Sequence, residues 1–230
     1  MSDGIRNFIF ENSYKNKKNH EHHKIFNFID LYVKDSLPEN VNILEVIQEV
    51  ESKIPFFLVN EVEAFYVGDF KEFREKQVNA MYRDGAIYVS NDQDNVLDMV
   101  DDIVHEIAHA VEEIFSQTIY SDGKVQNEFL GKRQRLKDLL KEYGHLGDNG
   151  HLFSQLEYSK ELDDFLYQTL GYENVETFSI GLFVRPYAIT DVREYFASAF
   201  EEYLLGDMKY LKKLSPVVYD KIELVYKSGS

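Results

Sequence analysis

One stretch of the chain repeats its apolar residues at the spacing of a long helix. From Val96 to Ile114 these residues recur at steps of three and four, which places them along one face of an α-helix. Two histidines, His105 and His109, lie four positions apart within the stretch, so they project from a single face one turn apart. The pattern predicts a helix that presents two imidazoles side by side. Its apolar residues are Val96, Val100, Ile103, Ile107, Ala110, Val111 and Ile114.

The two histidines and the glutamate that follows the first form the pattern His-Glu-x-x-His, which is typical of zinc peptidases. Two imidazoles one turn apart bind one zinc ion at about 2.1 Å. Glu106 is turned by about 100° around the helix from His105, so its carboxylate reaches a water on the zinc rather than the metal. We therefore expect zinc ligands at His105 and His109 and a general base at Glu106. A chance match on a polar helix face is the alternative, and the long apolar pattern argues against it.

Composition and charge restrict the classes of function. The chain has 25 basic and 41 acidic residues, a net charge of −16, and no visible basic patch, which argues against nucleic-acid binding. It has no cysteine, so disulfides and thiolate zinc ligands are excluded. No run approaches the roughly 18 apolar residues of a membrane span, and no signal peptide is visible. We expect a cytoplasmic protein without a membrane partner, with virion association, unconventional export and the oligomeric state left open.

The order of the predicted elements favours an α+β fold with a small N-terminal β-sheet and a mostly helical C-terminal half. Residues 1–24 are predicted to be a flexible arm, and residues 25–230 a single zincin-like metallopeptidase domain. The helix of His105 and His109 is expected to begin near Asn91 or Asp92. The strand nominated to hold an extended peptide substrate is Ala86–Ser90. The other predicted helices cover residues 25–36, 39–53, 125–143, 153–170, 191–205 and 216–226, and the other strands 56–60, 62–67 and 79–82. Arg83-Asp84-Gly85 is expected to form the hairpin turn before Ala86–Ser90, and residues 175–184 are expected to be extended or irregular.

A catalytic zinc takes three protein ligands and leaves one position for water, so a third ligand has to come from elsewhere in the chain. The metzincin arrangement needs Gly and His three and six residues after His109, where this sequence has Glu112 and Phe115. His145 and His151 are weak candidates, because both lie in a glycine-rich loop without a fixed register to the motif.

Two glutamates are better candidates for the third ligand. Glu128 lies 19 residues after the second histidine, as in thermolysin-like zincins, but it lacks the Gly- or Ala-rich continuation of those families. Glu194 shares a predicted helix face with Ala197 and Ser198, whose small side chains would permit a close approach to the helix of the histidines. The residues alone leave both glutamates open.

Some polar residues are better explained without a metal. Asp98, Asp101 and Asp102 precede His105 and are expected to favour the N-terminal half of the helix through its dipole, although they could orient His105. The spacing of the histidines near the N-terminus matches neither a helical nor a zinc-finger site, so they are not expected to form a real site. They are His20, His22 and His23.

Two segments, about residues 99–115 and 187–205, resemble the catalytic domain of anthrax lethal factor and the related clostridial Pro-Pro endopeptidases, which are gluzincins. The resemblance rests on His-Glu-x-x-His-Ala paired with a tyrosine, six residues, and then Glu-aromatic-Phe-Ala-x-Ala/Ser-Phe. Ser198 stands where that family often has a second glutamate.

The resemblance implies a role for five residues. The implied zinc ligands are His105, His109 and Glu194, the general base is Glu106, and the tyrosine that stabilises the oxyanion is Tyr187. The expected function is a zinc-dependent endopeptidase that cleaves a peptide or protein substrate. One alternative is a zinc-stapled scaffold, which does not need the retained Glu106. The other is a regulatory or virion-associated binding protein with a metallopeptidase-like fold, which the acidic charge fits as well as it fits a peptidase.

Overall fold

The structure is a computed structural model that describes residues 20–229. Its contacts divide, within one long helix between Ala110 and Val111, into two compact units. The N-terminal unit contains the strands and the C-terminal unit is helical, so the predicted α+β class is confirmed. The single domain from residue 25 onward stays a prediction.

Five strands form a mixed sheet with the order β1-β2-β3-β5-β4. Strands β2, β3 and β5 are parallel, whereas β1 and β4 run antiparallel to β2 and β5. In this order β4 lies at an edge and β5 lies inside the sheet. The strands are β1 (Glu21–Ile25), β2 (Ile29–Val33), β3 (Ala64–Gly68), β4 (Ala80–Arg83) and β5 (Ala86–Ser90).

The peptide-binding role predicted for Ala86–Ser90 is wrong. This strand, β5, pairs with β3 on one side and with β4 on the other, so both of its edges are occupied. An added strand needs an unpaired row of backbone groups. Among residues 20–229, the neighbouring β4 pairs with β5 alone, and on its other side the Tyr82 N–H donates a hydrogen bond to Glu106.

The helix predicted over residues 25–36 is a β-hairpin. Its apolar residues Ile29, Leu31 and Val33 are at most 3% exposed and alternate with more exposed ones, which is the period of a strand. The turn places Phe26 and Asn27 at φ values of 55° and 67°, a conformation that the apolar pattern does not reveal. The end of the predicted arm lies in β1, and residues 1–19 lie outside the described range.

Two shorter helices accompany the sheet, α1 (Ile43–Lys53) and α2 (Lys71–Lys76). The predicted hairpin between β4 and β5 is confirmed, with Asp84 and Gly85 at φ values of 51° and 78°. The strand predicted at residues 56–60 is instead a short 3-10 helix, Phe56–Leu58.

The next helix, α3 (Val96–Tyr120), contains both histidines. It begins later than predicted, because the side chain of Asn95 accepts hydrogen bonds from the amides of Leu97 and Asp98. The backbone of Phe115 leaves the helical region (φ −102°, ψ 17°), which kinks the helix after the His-Glu-x-x-His motif.

The rest of the chain is helical, as predicted, with different boundaries in its middle. The helix expected over residues 153–170 is broken into a 3-10 turn, one α-helical turn and a π-helix (Asp164–Leu170). The region over residues 175–184, expected to be extended or irregular, begins inside the helix Tyr172–Ser179. No helix among residues 20–229 is long and apolar enough to cross a membrane. The helices are α4 (Lys124–Glu142), α5 (Lys160–Asp163), α6 (Tyr172–Ser179), α7 (Val192–Leu205), α8 (Met208–Leu214) and α9 (Pro216–Lys227).

A row of stacked aromatic rings crosses one face of the sheet. His22, Tyr32, Tyr66 and Tyr88 occupy aligned positions on β1, β2, β3 and β5. Successive ring centroids are 4.8, 5.5 and 5.2 Å apart, with planes inclined by 10–20°. Because the ring faces are turned toward one another, the row stabilises strand pairing instead of forming a flat binding platform.

The Tyr66→Ala variant is expected to destabilise the N-terminal unit, because Tyr66 stacks on a neighbour at each face. Two aromatic pairs at about 0.5–1.5 kcal/mol each predict a loss of about 1–3 kcal/mol in the free energy of unfolding. Urea denaturation measures this loss. Tyr66→Phe keeps both stacks and is the control; equal stability of Tyr66→Ala and the wild type would contradict the role of the row.

Candidate metal centre

Helix α3 is buried on almost every side around the motif. Ile103, Val104, Ile107 and Ala108 have no exposed surface, and Glu106 and His109 are only 8% and 9% exposed. A polar side chain in such surroundings is costly unless it is hydrogen-bonded or bound to a metal. The local sequence therefore places two ionisable groups where each needs a partner.

Three side chains come together at this position. His105, His109 and Glu194 each offer one ligand atom, and these atoms all lie within 4.8 Å of one another. The centroids of the two imidazole rings are 5.2 Å apart and the ring planes are inclined by 79°; the distance is that expected for residues one helical turn apart. His109 is buried, whereas the other two residues are half-buried.

The chemistry of this donor set fits a zinc ion. Two imidazole nitrogens and one carboxylate oxygen are common zinc ligands, and three of them leave a fourth tetrahedral position open. Ligand atoms at about 2.1 Å from one ion lie roughly 3.4 Å apart, so small rotations of the three side chains bring them to that spacing.

The N-terminus of α7 fixes the backbone of Glu194. The side chain of Asp191 caps this helix and accepts hydrogen bonds of 2.9 Å from the amides of Arg193 and Glu194. Asp191 is itself only 7% exposed. This cap holds the first turn of α7, from which the Glu194 carboxylate projects.

The predicted base, Glu106, is held by the edge of the sheet. Its Oε2 accepts a hydrogen bond of 2.5 Å from the backbone N–H of Tyr82 in β4. The amide of Ser90 donates a hydrogen bond to the carbonyl of Asn79. Hydrogen-bonded and non-hydrogen-bonded pairs alternate along antiparallel strands, so Tyr82, three residues after Asn79, directs its N–H away from β5. Glu106 therefore lies at the open edge of the sheet and outside the group of three ligand candidates.

The predicted oxyanion residue, Tyr187, lies in a 3-10 turn (Pro186–Ile189) just before α7 and is 44% exposed. Its carbonyl accepts hydrogen bonds from the amide and hydroxyl of Thr190. Arg185, immediately before the turn, binds Glu201 of α7 with contacts of 2.8 and 2.5 Å. Glu201 is only 2% exposed, so this two-pronged ion pair anchors the turn of Tyr187 on α7. No local sequence pattern signals this ion pair, whose partners are 16 positions apart.

A second phenol, Tyr167, lies in the π-helix and interacts electrostatically with Glu194. Burial raises the pKa of Tyr167 above its ordinary value, and the charges of Asp163 and Glu194 act in the same direction. The phenol is therefore a neutral hydrogen-bond donor at neutral pH. π-Helical segments are rare and often occur at functional sites.

Glu128, the other candidate for the third ligand, has a structural role. Its carboxylate accepts hydrogen bonds from the amides of Val217 and Val218 at the start of α9, and from the hydroxyl of Tyr195. A carboxylate at a helix N-terminus satisfies unpaired amides and favours the helix dipole. Among the described residues, the group able to hold a metal contains Glu194 and not Glu128.

The remaining histidines have other surroundings. His145 is exposed and contacts the ring of Phe178, and exposed His151 lies 3.2 Å from the carbonyl of Asp148. His22 and His23 pair with nearby carboxylates on β1 and β2. Within residues 20–229, none of these histidines belongs to a group of three metal-binding side chains.

The aspartates at the start of α3 have local partners. Asp98 accepts a hydrogen bond from the side chain of the capping residue Asn95, and Asp102 accepts one from Gln93. Asp98 lies in the first turn of the helix, where a negative charge favours the dipole. A role of the aspartates in orienting His105 stays a prediction.

Comparison with protein-family models, curated proteins and solved structures yields no match to this chain. Any function assigned to the candidate site therefore depends on the residues of this chain and their geometry.

Two variants separate the candidate third ligands. Glu194→Gln removes the anionic oxygen and is expected to abolish stoichiometric zinc binding at micromolar concentration, because two imidazoles alone bind zinc more weakly. Glu128→Gln is expected to keep zinc and to lower the free energy of unfolding by about 1–3 kcal/mol through the weakened cap of α9. Mass spectrometry of metal content and urea denaturation measure the two effects. The reverse pattern of zinc loss would assign the ligand role to Glu128.

Proposed function

We propose that this protein is a zinc-dependent endopeptidase. The observation that supports the proposal is the convergence of His105, His109 and Glu194, with their ligand atoms within 4.8 Å, beside a buried glutamate on the same helix. A zinc ion bound there would polarise a substrate carbonyl and acidify a water molecule. The resemblance of residues 99–115 and 187–205 to the lethal factor and Pro-Pro endopeptidase family also supports this proposal.

Glu106 acts as the proton carrier in this proposal. Its carboxylate is 8% exposed and keeps one oxygen on the Tyr82 N–H, which fixes the orientation of the group. Held in this way, it accepts a proton from the attacking water and returns it to the leaving amine.

The substrate binds as an extended strand along β4. Among the described residues this strand lies at an edge of the sheet. Its Tyr82 amide is bonded to Glu106, so the strand passes close to the base and the peptide pairs with the remaining outward-facing backbone groups of β4. A peptide added to an edge strand is held through its main chain. Such binding places a peptide bond near the reacting groups without demanding one particular side chain.

Tyr187 supplies the second polar contact to the substrate. The ion pair between Arg185 and Glu201 holds its turn against α7, the helix that also bears Glu194. A phenol in this position donates a hydrogen bond to the oxygen on which negative charge develops.

The Glu106→Gln variant tests catalysis separately from metal binding. It is expected to keep zinc and stability close to the wild type and to lower cleavage by about 10²–10⁴-fold, because only the proton acceptor is lost. New termini in a mixed peptide library that includes Pro-Pro sequences, read by mass spectrometry, measure the rate. Glu113→Gln, an exposed position on the same helix, is the control. A wild type that binds zinc and cleaves nothing, or a variant as active as the wild type, favours a zinc-stapled scaffold.

Tyr187→Phe keeps the ring and removes the hydroxyl. We expect kcat to fall by roughly 10²–10³-fold with little change in KM, because the lost hydrogen bond forms chiefly in the transition state. Steady-state kinetics on a peptide from the library provide the test. Tyr210→Phe, an exposed tyrosine on α8, is the matched control. An unchanged kcat would remove Tyr187 from the catalytic group.

A further inference from the structure

A buried carboxylate continues the row of metal-site residues along α3. Glu112 follows His105 by seven residues and His109 by three, which places all three side chains on one helix face. Glu112 is 4% exposed. A carboxylate this deeply buried needs strong hydrogen-bond partners to remain charged.

The two carboxylate oxygens of Glu112 accept hydrogen bonds from residues of two different helices, α3 and α7. Oε1 accepts a hydrogen bond of 2.7 Å from the hydroxyl of Tyr120, and Oε2 accepts one of 2.9 Å from Nε of Arg193. The bond from Tyr120 spans the kink at Phe115. Burial, reinforced by the negative charge of Glu112, raises the pKa of Tyr120 above its ordinary value, so the phenol stays protonated and donates.

The arginine adjoins the third candidate ligand. Arg193 and Glu194 are consecutive residues in the first turn of α7, and the cap by Asp191 binds the amides of both. A contact that fixes Arg193 against Glu112 therefore also fixes the turn from which Glu194 projects. The Arg193 side chain is 53% exposed, whereas that of Glu112 is 6% exposed, so the carboxylate is the buried half of the pair.

We propose that the Glu112–Arg193 ion pair, supported by Tyr120, positions Glu194 for metal binding. The inference rests on the proposed metal centre and adds three positioning residues to it. The ion pair links two helices close to the candidate ligands. Glu112 lies three residues after His109 in α3, and Arg193 lies one residue before Glu194 in α7. Groups that orient metal ligands change metal affinity by about 10–100-fold when they are removed.

The test measures zinc affinity by competition with a chromophoric chelator on the full chain. Arg193→Gln and Glu112→Gln are each expected to weaken zinc binding by about 10–100-fold. Tyr120→Phe, which leaves the ion pair in place, is expected to produce a smaller loss. Because the Arg193 side chain is half exposed, its replacement opens no cavity in the core. Circular dichroism and urea denaturation verify that each variant is folded.

Cobalt substitution supplies a reading that stability alone would not change. Co²⁺ in the wild type and in the variants reports the coordination geometry through its visible absorption, and the bands are expected to shift in Arg193→Gln. Arg193→Lys keeps the charge and is expected to recover part of the affinity. The matched control, Arg185→Gln, breaks the other Arg–Glu pair of α7 and should leave zinc affinity and the cobalt spectrum unchanged.

The outcomes distinguish this inference from the proposed function. If the wild type binds no zinc, the metal centre fails and the positioning role fails with it. If the wild type binds zinc while folded Arg193→Gln and Glu112→Gln bind it within twofold with unchanged cobalt bands, only the positioning role is overturned. An equal loss in Arg185→Gln would also overturn it, because the effect would then be general to α7.

Discussion

The structure around the candidate site depends on the burial of polar side chains in one helix. Within two turns of α3, the side chains of Glu106, His109 and Glu112 are all less than 10% exposed. Burial of such groups is unfavourable unless each is satisfied. Two partners are visible as hydrogen bonds, the Tyr82 amide for Glu106 and the Arg193 guanidinium for Glu112. His109 lies in the group with His105 and Glu194 that could hold a metal ion.

The same demand explains how α7 is arranged. Its start is capped by Asp191, and its buried Glu201 is paired with Arg185. Each carboxylate has a defined partner, and each pair restrains a segment that bears a residue of the candidate site. Glu128 follows the same pattern, since its single carboxylate accepts hydrogen bonds from two amides of α9 and from a buried tyrosine. The buried carboxylates of Glu128 and Glu201 thus each join two segments of the chain.

The sequence predicted correctly those features of the fold that depend on residues close together in the chain. The helical spacing of the histidines and the Asp84-Gly85 turn are local, and both were found as predicted. The helix expected at residues 25–36 failed because a short apolar run fits either period, and strand pairing at Ile29, Leu31 and Val33 decided between them.

Properties that depend on distant residues could not be predicted from the sequence. The interior position of β5 follows from its pairing with β3, more than 15 residues earlier, and no local signal fixes that order. The role of Glu112 depends on Arg193, which is 81 positions away. The choice between Glu194 and Glu128 required the resemblance, and the structure adds that Glu128 is committed to the start of α9.

The row of stacked rings on the sheet has an optical consequence. The chain has no tryptophan, so its near-ultraviolet absorption and emission come from tyrosine and phenylalanine. Tyr32, Tyr66 and Tyr88 are held face to face, which couples their electronic transitions and gives them a dichroic signature distinct from that of isolated phenols. That signature originates in the N-terminal unit and vanishes when the strands separate. The protein therefore contains an intrinsic reporter of its sheet that needs no label.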